Sequence, residues 1–358
     1  MTRVSIKTVL SVAFAGSVMA CHEPASMTDG VSALTVTPTD LVLTADDSAP
    51  LIATAVSTSG APIVVQNIAW GSRDTSLVRV DQRGTVFAIR AGTTTVSAFA
   101  GSKVATATIT GTYPPLTGVR LYAHRGFARI FPENTLVAAD SALARGADGV
   151  EADVQLTSDS VAVVIHDPTV DRTTYGSGTV SAMSSTEIRA LDACSKKGPQ
   201  WSSCQIPLAE EMIDKLRGRG LLILDLKGRW PDAQLGKLLA MVRDAGMSNT
   251  TMVTSFQMDH LRRTRRLDAR VTLGLLQGDP TDPNAALALG KVAVIPEEGG
   301  MRKNPAPVSS FVALLREHGG VLGAWTIYSQ NAVPGLRSIG VQWYIADVPL
   351  DKSTLGSP

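Results

Sequence analysis

From about residue 31 to residue 113 the apolar positions alternate with polar ones in short runs: LTVTP, LVLTA, LIATAVS, IVVQNIAW, LVRVD, GTVFAI, TTTVSAFA and KVATATITG. These runs are rich in β-branched residues, and turn residues separate them at the spacing of a β-sandwich, so 31–113 reads as an all-β domain. Pro114-Pro115 opens a linker, 114–118. Beyond it the period changes. Continuous apolar runs at 119–123, 149–154, 221–226, 251–254, 271–275, 292–296, 321–326 and 343–347 read as buried strands. Amphipathic stretches at 134–145, 208–217, 233–245, 258–269 and 308–318 read as helices. Gly146, Gly246 and Gly319 follow three of them as C-terminal caps do. Eight strands alternating with helices predict a (β/α)8 barrel over 119–358. A further apolar run at 161–165 follows the second strand across Thr157-Ser158-Asp159-Ser160. That loop is too short for a helical crossover, which predicts an antiparallel hairpin. Folding about the Ser158–Asp159 link would set Glu151 opposite His166. Residues 168–205 read as an irregular insertion.

The N-terminus has a different texture. Arg3 and Lys7 precede an uncharged apolar run at 8–20, too short to span a bilayer comfortably. It ends Val18-Met19-Ala20-Cys21, which resembles a bacterial lipoprotein processing site. The expectation is a signal peptide at 1–20, lipidation of Cys21, a tether at 21–30, and an exported protein anchored in the bacterial cell envelope by its N-terminal lipid. An ordinary secretory signal with a chance cysteine is the alternative. With Cys21 lipidated, Cys194 and Cys204 remain as a pair, and an oxidising compartment favours a disulfide between them. Zinc is the weaker alternative, since no further ligands stand at useful spacing. Lys and Arg number 33 against 32 Asp and Glu, which gives no argument for a nucleic-acid partner. The oligomeric state is not legible.

The chemistry gathers at the predicted strand ends, where barrel enzymes place it. The first strand delivers His124 and Arg125, the second Glu151 and Asp153, the third Asp225 and Lys227. Ser255, Trp325 and Asp347 end later strands, and His166 ends the hairpin. Glu151 and Asp153, two apart on a strand, share a face. Carboxylates are hard ligands for Mg2+ or Ca2+, imidazoles pass protons near neutral pH, and Arg125 suits a phosphate. The set points to metal-assisted cleavage of a phosphate ester. His260 and His318 lie in helical stretches and read as surface residues. Arg262-Arg263 and Arg265-Arg266 read as a solvated basic face, and Trp70 as core.

His124-Arg125-Gly126, Pro132-Glu133-Asn134-Thr135, Glu151-Ala152-Asp153-Val154 and His166-Asp167 resemble, in order and spacing, the glycerophosphodiester phosphodiesterase family. Ile206-Pro207-Leu208 with Glu210-Glu211, Asp225-Leu226-Lys227, Ser255-Phe256, Trp325-Thr326 and Asp347-Val348-Pro349 extend the resemblance over about 117–352. It implies a TIM barrel of the phosphatidylinositol-phospholipase-C-like phosphodiesterase type that cleaves glycerophosphodiesters to glycerol 3-phosphate and an alcohol. It also implies one divalent metal, Mg2+ or Ca2+, on Glu151, Asp153 and Asp225. His124 and His166 would be the acid–base pair, with the order open. Arg125, Lys227, Glu133 and Trp325 would bind phosphate or substrate. Glu133 could instead bind the metal, orient Arg125 or serve only as a first-turn helix charge, and Trp325 could be core. Asp225 stands where the family has Glu, as in the related sphingomyelinase D-like enzymes, and could merely pair with Lys227. The insertion after His166 resembles the segment that distinguishes glycerophosphodiesterases from the sphingomyelinase D-like branch, which implies glycerophosphodiesters over a lysophospholipase D or sphingomyelinase D-like activity. A surface adhesion protein with a degenerate barrel is the alternative of another class. Trp70-Gly71-Ser72-Arg73-Asp74, Val80-Asp81, Gly84-Thr85-Val86 and Ala91-Gly92-Thr93 resemble the bacterial Ig-like group 2 family, which implies a spacer or adhesive role for the sandwich.

Overall fold

The structure is a computed structural model that describes residues 30–356 apart from 46, 65–67, 281 and 304–305. The signal segment 1–20, Cys21 and His22 lie outside the described residues. The N-terminal domain is all β. Val31–Thr37, Ile52–Ser57 and Pro62–Ile63 form one sheet, and Asp40–Thr44, Lys103–Thr112, Gly92–Ala100 and Ala69–Ser72 a second. The short strands Ser48–Pro50, Thr85–Ala88 and Val78–Val80 form a third. The alternation in the sequence is the reason: in Gly92–Ala100, Thr94, Val96, Ala98 and Ala100 all turn inward. There Val96, Ala98 and Ala100 meet Val36, Val78, Val86 and Ile109 in one core. Trp70 packs against that core half-buried, over Gly84. Gly84 has φ +82°, and a Cβ there would come within 2.7 Å of the indole.

The second domain is a closed parallel barrel. Its eight strands are Arg120–His124, Gly149–Leu156, Leu221–Leu226, Thr251–Ser255, Thr272–Gln277, Val292–Pro296, Val321–Ile327 and Trp343–Ala346. Each pairs with the next, and the first also pairs with the last. The strands are apolar on both faces because both are covered. Outward residues such as Leu121, Val150, Leu222 and Val253 pack on the helices. Inward residues Tyr122, Ile223, Met252, Ile295 and Ile345 fill the lower barrel. Two residues further along four of those strands stand His124, Asp225, Thr254 and Asp347. One side-chain layer therefore changes from apolar to polar at the C-terminal mouth, as period two requires.

Three expectations need correction. The hairpin partner, Ala162–Val164, pairs Val154 with Val164 and Leu156 with Ala162, one residue away from the expected register. The turn closes on Thr157 and Val161, with Ser160 at φ 62°, so it carries an odd residue and Glu151 is not directly opposite His166. On the helix Met258–Leu267, His260 is buried and its Nδ1 lies 3.0 Å from Ser255 Oγ. Arg265 is buried too. It donates to the carbonyls of Leu289, Ala269 and Gly290 and stacks 4.9 Å from the Tyr113 ring. Leu261, Thr264 and Arg265 share the inward face, so a run of arginines cannot all be solvated. Arg263 and Arg266, on other faces, pair with Asp232.

The insertion has a core of its own around Val163, Val170, Val180, Ile188 and Ile206. Cys194 and Cys204 are disulfide-bonded across 10 residues. Closing so short a loop removes roughly 2–3 kcal/mol of unfolded-chain entropy.

Candidate active site

The first strand ends in a left-handed turn, with φ 50°, 80° and 66° at Arg125, Gly126 and Phe127. Only Gly fits its middle, because a Cβ at Gly126 would lie 2.5 Å from Ala138 Cβ on the helix Leu136–Ala144. The turn aims the Arg125 backbone N–H at Glu151 Oε2, 2.9 Å away. The Arg125 guanidinium meets Asp153 Oδ2 through Nε at 3.1 Å and Glu133 Oε1 through Nη1 at 3.1 Å. Register does the rest. His124 is level with Glu151 on the second strand, and Asp153 is level with Asp225 on the third.

His124 donates from Nδ1 to Asp347 Oδ1 at 2.6 Å, leaving Nε2 3.9 Å from Glu151 Oε2. His166 donates from Nδ1 to Asp167 Oδ1 at 2.7 Å. Lys227 Nζ lies 2.5 Å from Asp225 Oδ2 and 3.2 Å from Asp153 Oδ1. His124, Arg125, Glu151, His166, Asp225 and Lys227 line a cavity of about 160 Å3 whose other walls include Phe256, Leu276, Trp325 and Ile345. Trp325 is thus a wall residue. Its indole donates to the Gln277 carbonyl at 3.0 Å, and its ring meets Phe256 edge-on at 5.3 Å. Ser255 points outward to His260, and Thr254 lines the cavity in its place.

Glu151, Asp153 and Asp225 are buried, with carboxylate oxygens within 4.8 Å of one another. Burial and the neighbouring Asp153 push the Glu151 carboxyl up. Burial likewise raises Asp225, although Lys227 opposes it. Asp153 moves down: burial works against ionisation, but Lys227 and Arg125 outweigh it. Burial opposes protonation of His124, yet Glu151 and the Asp347 hydrogen bond raise it overall. In His166 burial prevails and lowers it. Asp153 Oδ1 and Asp225 Oδ1 are buried and accept no hydrogen bond from the described residues, although Lys227 is within ion-pair range of the first. Three crowded acids with orphaned oxygens fit a hard divalent cation. The Asp225–Lys227 pairing is real and occurs within the same acid cluster.

Four further residues hold the site groups in place. Asp347 orients His124 across 223 residues, and Asp167 orients His166. Asn134, at φ 58°, donates to Asp153 Oδ2 at 2.8 Å and accepts from Asp153 N at 3.1 Å. Glu133 holds Arg125 and Arg172 and stands apart from the acid triad. His318 is exposed, as expected.

The sequence model of the glycerophosphoryl diester phosphodiesterase family matches residues 124–351, and that of the bacterial Ig-like domain (group 2) matches 30–110. A glycerophosphodiester phosphodiesterase of Caldanaerobacter subterraneus subsp. tengcongensis is 31% identical over 233 residues, covering 63% of this chain and 93% of that protein. One from Bacillus altitudinis is 29% identical over 238 residues, covering 64% and 95%. The crystal structure of a glycerophosphodiester phosphodiesterase from Agrobacterium tumefaciens superposes with a TM-score of 0.52 at 27% identity, over 64% of this chain and 97% of that one.

Proposed function

The chain belongs to the glycerophosphoryl diester phosphodiesterase family, and we propose that its barrel hydrolyses glycerophosphodiesters to glycerol 3-phosphate and an alcohol with a divalent metal and two histidines. The observation that carries this reading is the meeting of two carboxylate-oriented imidazoles, three clustered acids and two cations around one cavity. Glu151, Asp153 and Asp225 would hold Mg2+ or Ca2+, which when bound supplies charge to offset that of the phosphate. Arg125 and Lys227 bind the phosphate oxygens and hold the diester in place. Asp347 and Asp167 fix the Nδ1–H form of the two rings, so that each Nε2 is the nitrogen left for proton transfer. One imidazole takes the proton from the attacking water, whose oxygen bonds to phosphorus as the ester P–O bond breaks, and the other gives a proton to the departing alkoxide. Phe256 and Trp325 wall one side of the cavity.

Purified protein offered glycerophosphocholine, glycerophosphoethanolamine or glycerophosphoglycerol is expected to release glycerol 3-phosphate. EDTA should stop the release, and Mg2+ or Ca2+ should restore it. No glycerol 3-phosphate from any of the three with either ion would sink the reading. We also propose that the enzyme is lipid-anchored at the cell envelope through Cys21, on the strength of the Val18-Met19-Ala20-Cys21 sequence. Cys21→Ala should then move the protein from the membrane to the soluble fraction, and unchanged fractionation would refute the anchor.

A further inference from the structure

Arg172, in the insertion, touches both halves of the site from outside the cavity. Its Nε and Nη2 donate to Asp167 Oδ2 and Oδ1 at 2.6 and 3.1 Å. Its Nη1 and Nη2 donate to Glu133 Oε2 and Oε1 at 2.7 and 2.8 Å. Each carboxylate has a second contact on a site residue. Asp167 Oδ1 accepts from His166 Nδ1, and Glu133 Oε1 accepts from Arg125 Nη1. We propose that Arg172 is a positioning residue, which holds His166 through Asp167 and Arg125 through Glu133 in the orientation the reaction needs. The proposal rests on the phosphodiesterase reading of the cavity.

The chain of support can be followed outward. Gln155 Nε2 donates to the carbonyls of Ile165, His166 and Asp167, which fixes the backbone beneath His166. That leaves the ring, 32% exposed, to be oriented by Asp167. Asp167 is itself at the water's edge and next to another acid, Glu133, across the same guanidinium. Remove the planar cation and two like charges lose the group that joins them, each then held only by its single contact with His166 or Arg125. Arg172 is not a loose surface side chain. Val170 and Thr174 on either side of it are buried, and Thr174 closes the turn through N and Oγ1 onto the Val170 carbonyl at 3.1 and 2.8 Å. Lys196, two residues after disulfide-bonded Cys194, donates to the carbonyls of Asp171 and Thr174 at 2.5 and 2.7 Å. The guanidinium is therefore projected from a turn that the insertion's own core and disulfide loop hold in place. At 48% exposure its ion pairs contribute little to folding. Their loss should appear in catalysis instead.

The test compares Arg172→Ala and Arg172→Lys with the wild type. It uses kcat and KM on glycerophosphocholine, the thermal midpoint, and 15N–1H correlation spectra of the His166 ring, assigned with His166→Gln. Arg172→Ala should lower kcat about 10- to 100-fold, the usual cost of misplacing an oriented group. Its thermal midpoint should stay near that of the wild type. The neutral His166 ring should pass from a single Nδ1–H tautomer to a mixture. Arg172→Lys keeps the charge without the planar fork, so it should recover only part of the rate and of the spectrum. Wild-type kcat in Arg172→Ala, a lowered rate with an unchanged His166 spectrum, or complete rescue by Lys would each overturn the proposal. If the wild type itself cleaves nothing, the phosphodiesterase reading falls, and the His166 spectra alone decide the role of Arg172. If Arg172→Ala does not fold, Arg172→Lys carries both measurements.

Discussion

Replacing Asp153 by alanine is expected to abolish phosphodiester cleavage altogether. Asp153 is the hub of the acid cluster. It is fully buried, and its carboxylate meets Arg125 Nε at 3.1 Å, Lys227 Nζ at 3.2 Å and Asn134 Nδ2 at 2.8 Å. It also supplies one of the three oxygens proposed to hold the metal. Its removal takes away a proposed ligand and leaves Arg125 and Lys227, the cations proposed to bind phosphate, facing a smaller negative charge. Breaking a buried charge network costs about 3–5 kcal/mol, so folding must be checked alongside activity. Asp153→Asn keeps the shape and the Asn134 contact while removing the charge, and it should be equally inactive with a smaller loss of stability. Circular dichroism of both variants and glycerol 3-phosphate release decide the matter. A folded Asp153→Ala protein with full activity would remove the site from consideration.

Alanine at His124 or at His166 should lower kcat by about 10²–10⁴, the usual worth of general acid–base help. KM should change little, because proton transfer is made in the transition state and phosphate binding is proposed for Arg125 and Lys227. The two rings differ in their surroundings. Glu151 and Asp347 favour the protonated form of His124, whereas burial favours the neutral form of His166. A cation on Glu151 would take away much of the support for protonated His124, so the acid and base roles are to be read from rates with metal added. Steady-state kinetics over pH with each variant is the measurement. A rise in KM with kcat unchanged would turn the histidines into binding groups.

The barrel was legible because its strands are buried on both faces and stand out as continuous apolar runs; each of the eight expected runs coincides with an observed strand to within two residues at either end. Glycines 146, 246 and 319 end helices at positive φ for the reason their position suggested. The mouth was legible because period two carries the inward layer from Tyr122 to His124 and from Ile223 to Asp225. Parity also explains why Ser255, though it ends its strand as expected, does not line the cavity: it stands one residue past the inward Thr254 and turns to His260. What local pattern could not supply were partners remote in sequence. Asp347 had appeared only as a strand end, and Arg172, which reaches Glu133 across 39 residues, not at all. A buried arginine was also out of reach, because Arg265 looks like its neighbours until the helix has a face. The hairpin register failed by one residue for want of the Ser160 conformation.

The central claim is that Glu151, Asp153 and Asp225 hold one divalent cation, and calorimetric titration of Mg2+ and Ca2+ into metal-free protein tests it most directly. The account predicts one equivalent bound by the wild type and none by Asp153→Ala. It also predicts one by Asp225→Glu with altered affinity or ion preference, since a longer acid there moves a ligand oxygen. Undiminished binding in Asp153→Ala, or Asp225→Glu with affinities identical to the wild type for both ions, would contradict it.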